Sequence, residues 1–355
     1  MKKLIPYIIL LVLAGCQAET EQADELTPLV RTKANSLQYA QSESINLEEL
    51  GIINPTKIRK KDSLFIILTP TSKYRFAIYN HNSKEIQRLV PAGDGEGEGL
   101  YYLGLTLHKD IASAFDFGTG NLVEFNLNEG LFPRVLPIFT TVSGGGKTTL
   151  GAIRVNNQLI STGIYTEGRY CCTNPALNTD NYSVSYPDCL DLSLSDTLKS
   201  IRYASNYLAA HPDGTRFACA NVENGCLDIC TIKGNQLTRV NEVNLSRPKI
   251  NLHKRGRGKG MWHPVSYSSN NLFGFCDMTV SKDYIFTLYS GKTYRQHKNN
   301  VDQGKIILIF DWNGSHVRTY HLPLNCSSIS YDEEQQTIYA LSKERDKAEI
   351  ITLNL

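Results

Sequence analysis

Short apolar–polar alternating runs recur through this chain in units of roughly fifty residues, and that recurrence limits the fold more than any other feature. The first unit holds Leu64–Leu68, Phe76–Asn80 and Ile86–Val90. Ile111–Phe115 and Leu122–Leu127 make a second, and Gly151–Val155 with Leu159–Ile164 a third. A fourth runs through Tyr207–Ala210, Arg216–Ala220 and Cys226–Ile232, with His211-Pro212-Asp213-Gly214 as a turn. The fifth reads Met278–Val280, Tyr284–Tyr289, Ile306–Asp311 and Val317–Leu322, and the last Ser328–Tyr331, Thr337–Leu341 and Glu349–Leu355. The second strand of each unit starts near 63, 111, 159, 216, 284 and 337. Six units of three or four short antiparallel strands are the sequence pattern of propeller blades, so the expected fold is all-β, a six-bladed β-propeller. Asn313-Gly314 and Asp213-Gly214 supply the positive backbone angles that tight hairpins need. A single β-sandwich needs only about 100 residues. Two sandwiches are the alternative, ranked second because no Pro- or Ser-rich linker divides the chain.

Long amphipathic helices are scarce. The best candidate stripe, Leu194, Leu198, Ile201 and Leu208, is interrupted by Ser205 and ended by His211-Pro212. A propeller must also close its ring. The chain ends on a strand with nothing left for an outer partner, and Leu37–Leu50 alternates weakly at the other end. That segment is expected to complete the last blade and so remove an open sheet edge.

The first residues carry an address. Lys2 and Lys3 precede an apolar stretch from Leu4 to Leu13, broken only by Pro6 and Tyr7 and closed by Leu13-Ala14-Gly15-Cys16. The stretch is too short for a membrane span, which takes about 20 residues, and reads as an export signal. Leu-Ala-Gly-Cys resembles the lipobox of bacterial lipoproteins. That resemblance implies cleavage before Cys16, diacylglycerol on its thiol and acylation of the freed amine, a palmitate-type anchor; the alternative is a plain secretory signal with a chance cysteine. The expected organisation is a signal peptide over 1–15, a tether over 16–36 and the propeller over 37–355. Gln17–Glu25 holds four acids and no base, a composition that cannot fold alone. Gln17 is not the Asp associated with inner-membrane retention. Acids behind the cysteine resemble surface-export signals of some outer-membrane lipoproteins, or are simply a solvated linker. The expected location is the bacterial outer membrane, lipid-anchored, facing the periplasm or the exterior.

The chain has 37 basic and 35 acidic side chains. Cleavage removes only Lys2 and Lys3 among them, so the mature charge is zero. That balance argues against generic nucleic-acid binding. Phe275–Ser281, Tyr284–Lys292, the run Phe310-Asp311-Trp312-Asn313-Gly314, the closing Ile338-Tyr339-Ala340-Leu341-Ser342 and the early Gly93-Asp94-Gly95-Glu96-Gly97 loop resemble the TolB-like six-bladed propeller lipoproteins. The resemblance implies a six-bladed propeller on a lipid anchor. It carries no catalytic residue onto this chain, because the family has no well-defined activity. Residues 165–205, with Cys171-Cys172, depart from the pattern and leave the blade boundaries there open.

Several patterns look like chemistry. Gly144-Gly145-Gly146-Lys147-Thr148-Thr149 suggests a phosphate loop, but Thr141 stands where the motif needs glycine and a strand pattern follows, so a turn is expected and no nucleotide partner. Asp116-Phe117-Gly118 reads as a hairpin turn. The glycine-spaced basic loop His253–Gly260, with Lys254, Arg255, Arg257 and Lys259, leads into Trp262 and His263. It is the candidate grip for an anionic ligand, or else a solvated insertion. Tyr294, Arg295 and His297 lie in a later loop expected to face the same side. Eight cysteines follow Cys16. Cys219 with Cys226, Cys171 or Cys172 with Cys189, and Cys276 with Cys326 are open pairings, against the reading of small core residues. Cys226 and Cys230, four apart on one strand, are too distant to bridge. No spacing indicates a metal cluster, and no cofactor is expected.

Three functions remain. The first is a non-catalytic binding or scaffold lipoprotein whose propeller presents loops to a glycan, peptide or protein. The second is a propeller enzyme of lactonase, lyase or glycosidase type with a channel-mouth site, for which Asp277 is the one inner-strand carboxylate placed. The third is an accessory part of an envelope complex, suggested by fold analogy alone.

Overall fold

The computed structural model describes residues 35–37, 44–138, 147–177, 179–187, 194–246, 248–252, 265–344 and 347–355. Cys16, the acidic tether to residue 34, Cys189 and the basic loop through His263 lie outside the described residues. Six four-stranded antiparallel blades surround one axis. Blade one is β3 (Lys57–Lys61), β4 (Leu64–Leu68), β5 (Tyr74–Asn80) and β6 (Ile86–Pro91). Blade two is β7 (Thr106–His108), β8 (Ile111–Asp116), β9 (Asn121–Asn126) and β10 (Pro133–Pro137). Blade three is β11 (Thr148–Val155), β12 (Gln158–Ile164), β13 (Tyr170–Asn174) and β14 (Thr179–Ser183), which resolves the boundaries left open around Cys171-Cys172. Helix α1 (Asp196–Arg202), capped by Ser195, then leads to blade four. It is shorter than the apolar stripe suggested, because Leu208 already belongs to a strand.

Blade four is β15 (Asn206–Ala210), β16 (Arg216–Asn221), β17 (Cys226–Lys233) and β18 (Gln236–Asn244). A separate hairpin, β19 (Ile250–Leu252) with β20 (Val265–Tyr267), is inserted before blade five and carries the basic loop between its strands. Blade five is β21 (Phe275–Val280), β22 (Tyr284–Tyr289), β23 (Gly304–Asp311) and the first half of β24 (His316–Asp332). The second half of β24 opens blade six, followed by β25 (Thr337–Ser342) and β26 (Glu349–Asn354).

The ring closes with residues from the other end of the chain. Strand β2 (Ile45–Asn46) pairs antiparallel with Glu349 and Ile350 as the outermost strand of blade six. Strand β1 (Asn35–Ser36) adds in parallel to Tyr320 and His321 at the edge of blade five, so pairing begins ahead of the expected start at residue 37. Leu47 is fully buried against Ile58, Tyr339, Leu341 and Ile350 between blades six and one.

Each of the six blade-to-blade interfaces has its own apolar cluster. The cluster between blades two and three is the smallest of these six among the described residues, holding Phe115, Leu122, Ile138, Ala152 and Leu159. Turns that join inner to second strands gather on one face of the ring, and left-handed residues make them tight. Asp62, Lys109 and Asn156 have φ of 50°, 56° and 54°. Gly214, at φ 74°, also leaves room for the Asn156 side chain of the preceding blade, which a Cβ would meet at 2.5 Å. Blade is linked to blade on this face by Lys60–Asp332 at 2.6 Å, Lys61–Asp110 at 3.7 Å and His211 Nε2 to the Lys282 carbonyl at 2.9 Å.

The seven described cysteines are buried and unbridged, including Cys219, Cys226, Cys276 and Cys326. They act as small core residues. Deleting residues 35–50 strips Leu47, Ile45 and the closing strand from the ring. With roughly 1.5–3 kcal/mol for each buried aliphatic side chain, melting should fall by about 10 °C. A calorimetric scan that finds the same melting temperature contradicts closure by this segment.

Candidate functional site

The axis of a propeller is where inner strands bring side chains together, so it is the first place to look for chemistry. Strand β3 has the sequence Lys57-Ile58-Arg59-Lys60-Lys61, yet Lys57, Arg59 and Lys60 are all buried. Their aliphatic stems pack among neighbouring strands while their charges reach specific oxygens. Arg59 points inward and meets Asp277 of blade five in a bidentate pair, Nη1 to Oδ2 at 2.9 Å and Nη2 to Oδ1 at 2.8 Å. The same guanidinium donates to the carbonyls of Ile329 at 3.0 Å and Met278 at 2.9 Å. Asp277 Oδ2 also accepts from the Ser328 hydroxyl at 2.5 Å and the Ile329 amide at 3.0 Å.

Lys57 fills the next level of the axis. Its ammonium donates to the carbonyls of Cys276 and Ser327 and lies 4.4 Å from the centre of the Tyr207 ring in blade four. Burial alone would lower this ammonium, but Tyr207 and Asp277 outweigh it and raise its pKa. Burial likewise would push the Asp277 carboxyl up. The charges of Arg59 and Lys57, with hydrogen bonds from Arg59 and Ser328, overcome it and hold the carboxyl below its ordinary 3.8. A cavity of about 30 Å³ lies between the inner strands of blades one to four, its lining including Arg59, Gly104, Gly151 and Tyr207. Asp277 is thus a fully bonded structural carboxylate rather than a free acid or base for a channel reaction. The buried cations of β3 gave no sequence signal, because a run of three basic residues reads as solvated.

The face opposite the inner-hairpin turns carries the other candidates. Tyr294 and Arg295 lie on a one-turn helix, α2 (Tyr294–His297), between β22 and β23, with Thr293 as its cap. Tyr294 is 52 % exposed. The Arg295 amide donates to the Ser269 carbonyl at 2.8 Å, and its guanidinium to Asn270 Oδ1 at 3.4 Å. The helix therefore rests on the segment that leaves hairpin β19–β20. Lys254, Arg255, Arg257, Lys259, Trp262 and His263 lie outside the described residues, so only the hairpin base is placed beside Tyr294 and Arg295. On the same face Tyr101 stacks on Phe117 with ring centres 5.5 Å apart, and both are exposed.

Two look-alike motifs have structural roles. Lys147 pairs with Glu167 at 2.7 Å, and Thr148 opens strand β11 where a phosphate loop would need a helix. Asp116 caps the β8–β9 turn, accepting from the amides of Tyr101 and Gly118, each at 2.9 Å. Among the described residues, no group of His, Cys, Asp and Glu is placed to hold a metal ion.

A depressed carboxyl contributes stability that is present above its unfolded pKa and lost as pH falls through the lower folded value. Urea unfolding of the wild-type chain should therefore weaken below about pH 4. In Asp277→Asn that acid-labile component is missing, and the gap between the two proteins narrows as pH falls. Parallel curves for both proteins would contradict a charged Asp277.

A family model described as TolB-like 6-blade propeller-like matches residues 35–334. Among solved structures, the WD40 repeats of RRP9 align at TM-score 0.50 and 12 % identity, over 90 % of this chain and all of that one. A Bacteroides fragilis protein provisionally described as exported aligns at TM-score 0.47 and 12 % identity, over 90 % of this chain and 93 % of its own. A Bacteroides uniformis protein provisionally described as a 6-phosphogluconolactonase aligns at 0.48 and 10 % identity, over 84 % and 80 %. At such identity the likeness to the RRP9 repeats is one of fold. No curated protein matches the chain. Six blades in this order, closed by the strand at residue 45 and matched by the family model over most of the length, lead to one conclusion: the chain belongs to the TolB-like six-blade propeller family.

Proposed function

We propose that this protein is a cell-envelope lipoprotein, anchored through Cys16 to the bacterial outer membrane, whose propeller is a non-catalytic binding or scaffold module for a glycan, peptide or envelope protein. The observation that carries the reading is the engagement of both Asp277 oxygens by Arg59 at the axis, which removes the placed carboxylate of the lactonase, lyase or glycosidase alternative. Binding then falls to the loops. Tyr294 and Arg295 stand beside the base of the hairpin whose sequence holds Lys254, Arg255, Arg257 and Lys259, and a loop with that many cations suits an anionic partner. Three acyl chains at about 0.8 kcal/mol per buried methylene would hold such a module at the membrane without a spanning segment.

Two measurements test this. Cys16→Ser should move the protein from the membrane to the soluble fraction and abolish labelling by radioactive palmitate; retention of label would remove the anchor. Replacing Lys254, Arg255, Arg257 and Lys259 together by Ala should weaken capture of acidic glycans on an array, or of a partner from detergent-solubilised membranes, by at least about tenfold, or 1.4 kcal/mol. Turnover of a lactone or glycoside that survives this change but disappears in Asp277→Asn would replace binding with catalysis.

A further inference from the structure

On the face bearing the inner-hairpin turns, away from Tyr294 and Arg295, blades two and three form an open-mouthed cavity of about 160 Å³. Its walls are His108, Lys109, Ile111, Ser113, Glu124, Arg154 and Asn156. It sits at the blade-to-blade interface with the smallest apolar cluster. Glu124 is only 2 % exposed, and its Oε1 accepts from Arg154 Nε at 2.8 Å. Its second oxygen, Oε2, is buried with no hydrogen-bond partner among the described residues. Both ring nitrogens of His108 are buried and equally unpartnered there. Buried polar groups in native proteins are almost always satisfied, so a cluster of unpaired atoms lining a cavity calls for water or a polar ligand.

The chemistry of the walls narrows its class. Burial, reinforced by Lys109, pushes His108 down to about 4, so at neutral pH it offers one donor and one acceptor. Burial also raises Glu124 against the pull of Arg154. The guanidinium of Arg154 bonds Glu124 through Nε, and Arg154 and Lys109 both line the cavity. Two cations favour a carboxylate, which a guanidinium fork matches. They disfavour a bound cation. Glu124 Oε2 and His108 are suited to hydroxyls. An apolar guest would leave all of these atoms unpaired.

We propose that this cavity binds a small hydroxylated carboxylic acid, of the uronic or aldonic acid class, with Arg154 and Lys109 holding the carboxylate and Glu124 and His108 the hydroxyls. This site is independent of the face assigned to the macromolecular partner. Calorimetric titration of the full-length protein in detergent with glucuronate, glucose and inorganic phosphate tests it. Glucuronate should bind saturably, with glucose and phosphate each at least tenfold weaker. His108→Ala and Lys109→Ala should each weaken glucuronate at least tenfold. Lys109 is exposed and its removal should leave the melting temperature unchanged, so a loss of binding in that variant is not a loss of fold. Absence of saturable glucuronate binding, glucose or phosphate binding as tight as glucuronate, or glucuronate binding unchanged in both variants would overturn the proposal.

Discussion

The ion pair between Arg59 and Asp277 is the contact on which the centre of the ring depends. The two residues are 218 positions apart in sequence, and they join blades one and five across blade six, whose Ser328 and Ile329 complete the network. Blades meet neighbours through apolar clusters, whereas at the axis Arg59 and Lys57 of blade one reach blades five and four. Burying two charges is costly, and a buried pair gains little over an apolar isostere unless its remaining lone pairs and protons are satisfied. Here they are, because Arg59 also donates to two inner-strand carbonyls and Asp277 accepts from a hydroxyl and an amide. A fork of fixed geometry that must meet four backbone and side-chain partners at once specifies the spacing of the inner strands.

Around that centre the interfaces differ in kind. Between blades five and six, aliphatic side chains such as Leu288, Ile307, Ile338 and Ile351 interlock with no charge inside the cluster. Between blades two and three the apolar part shrinks to five residues, and Glu124 with Arg154 replaces the rest. Blades three and four also meet through charge, Arg169 pairing with Asp228 at 3.1 Å with both side chains fully buried, but there the apolar cluster is larger. The smallest apolar interface and the cavity with unpaired polar walls therefore coincide.

Much of the fold was legible from alternation and turn chemistry. Short apolar runs bounded by turn residues marked β8, β12 and β22, which are buried on both faces, and Asn313-Gly314 marked a hairpin by its backbone demands. Strand β3 was not legible. It is buried on both faces and yet reads Lys-Ile-Arg-Lys-Lys, because its partners, Asp277, Asp332 and the carbonyls of Cys276 and Ser327, lie more than 200 residues downstream. Strands β13 and β14 escaped for another reason: Tyr170–Asn174 and Thr179–Ser183 carry mostly polar or small side chains and pair through backbone geometry. His108, Glu124 and Arg154 were likewise silent, since only the packing of two blades brings them to one cavity.

A double-mutant cycle at the axis tests the account most directly. Urea unfolding would be measured for Arg59→Met, Asp277→Leu and the combination. Each single change leaves a buried charge unpaired and should cost about 3–5 kcal/mol, while the double change should cost far less than their sum, with a coupling of about 2 kcal/mol or more. Additivity to within about 0.5 kcal/mol would show that the two side chains act independently, and that the ring is not held at its centre by this pair.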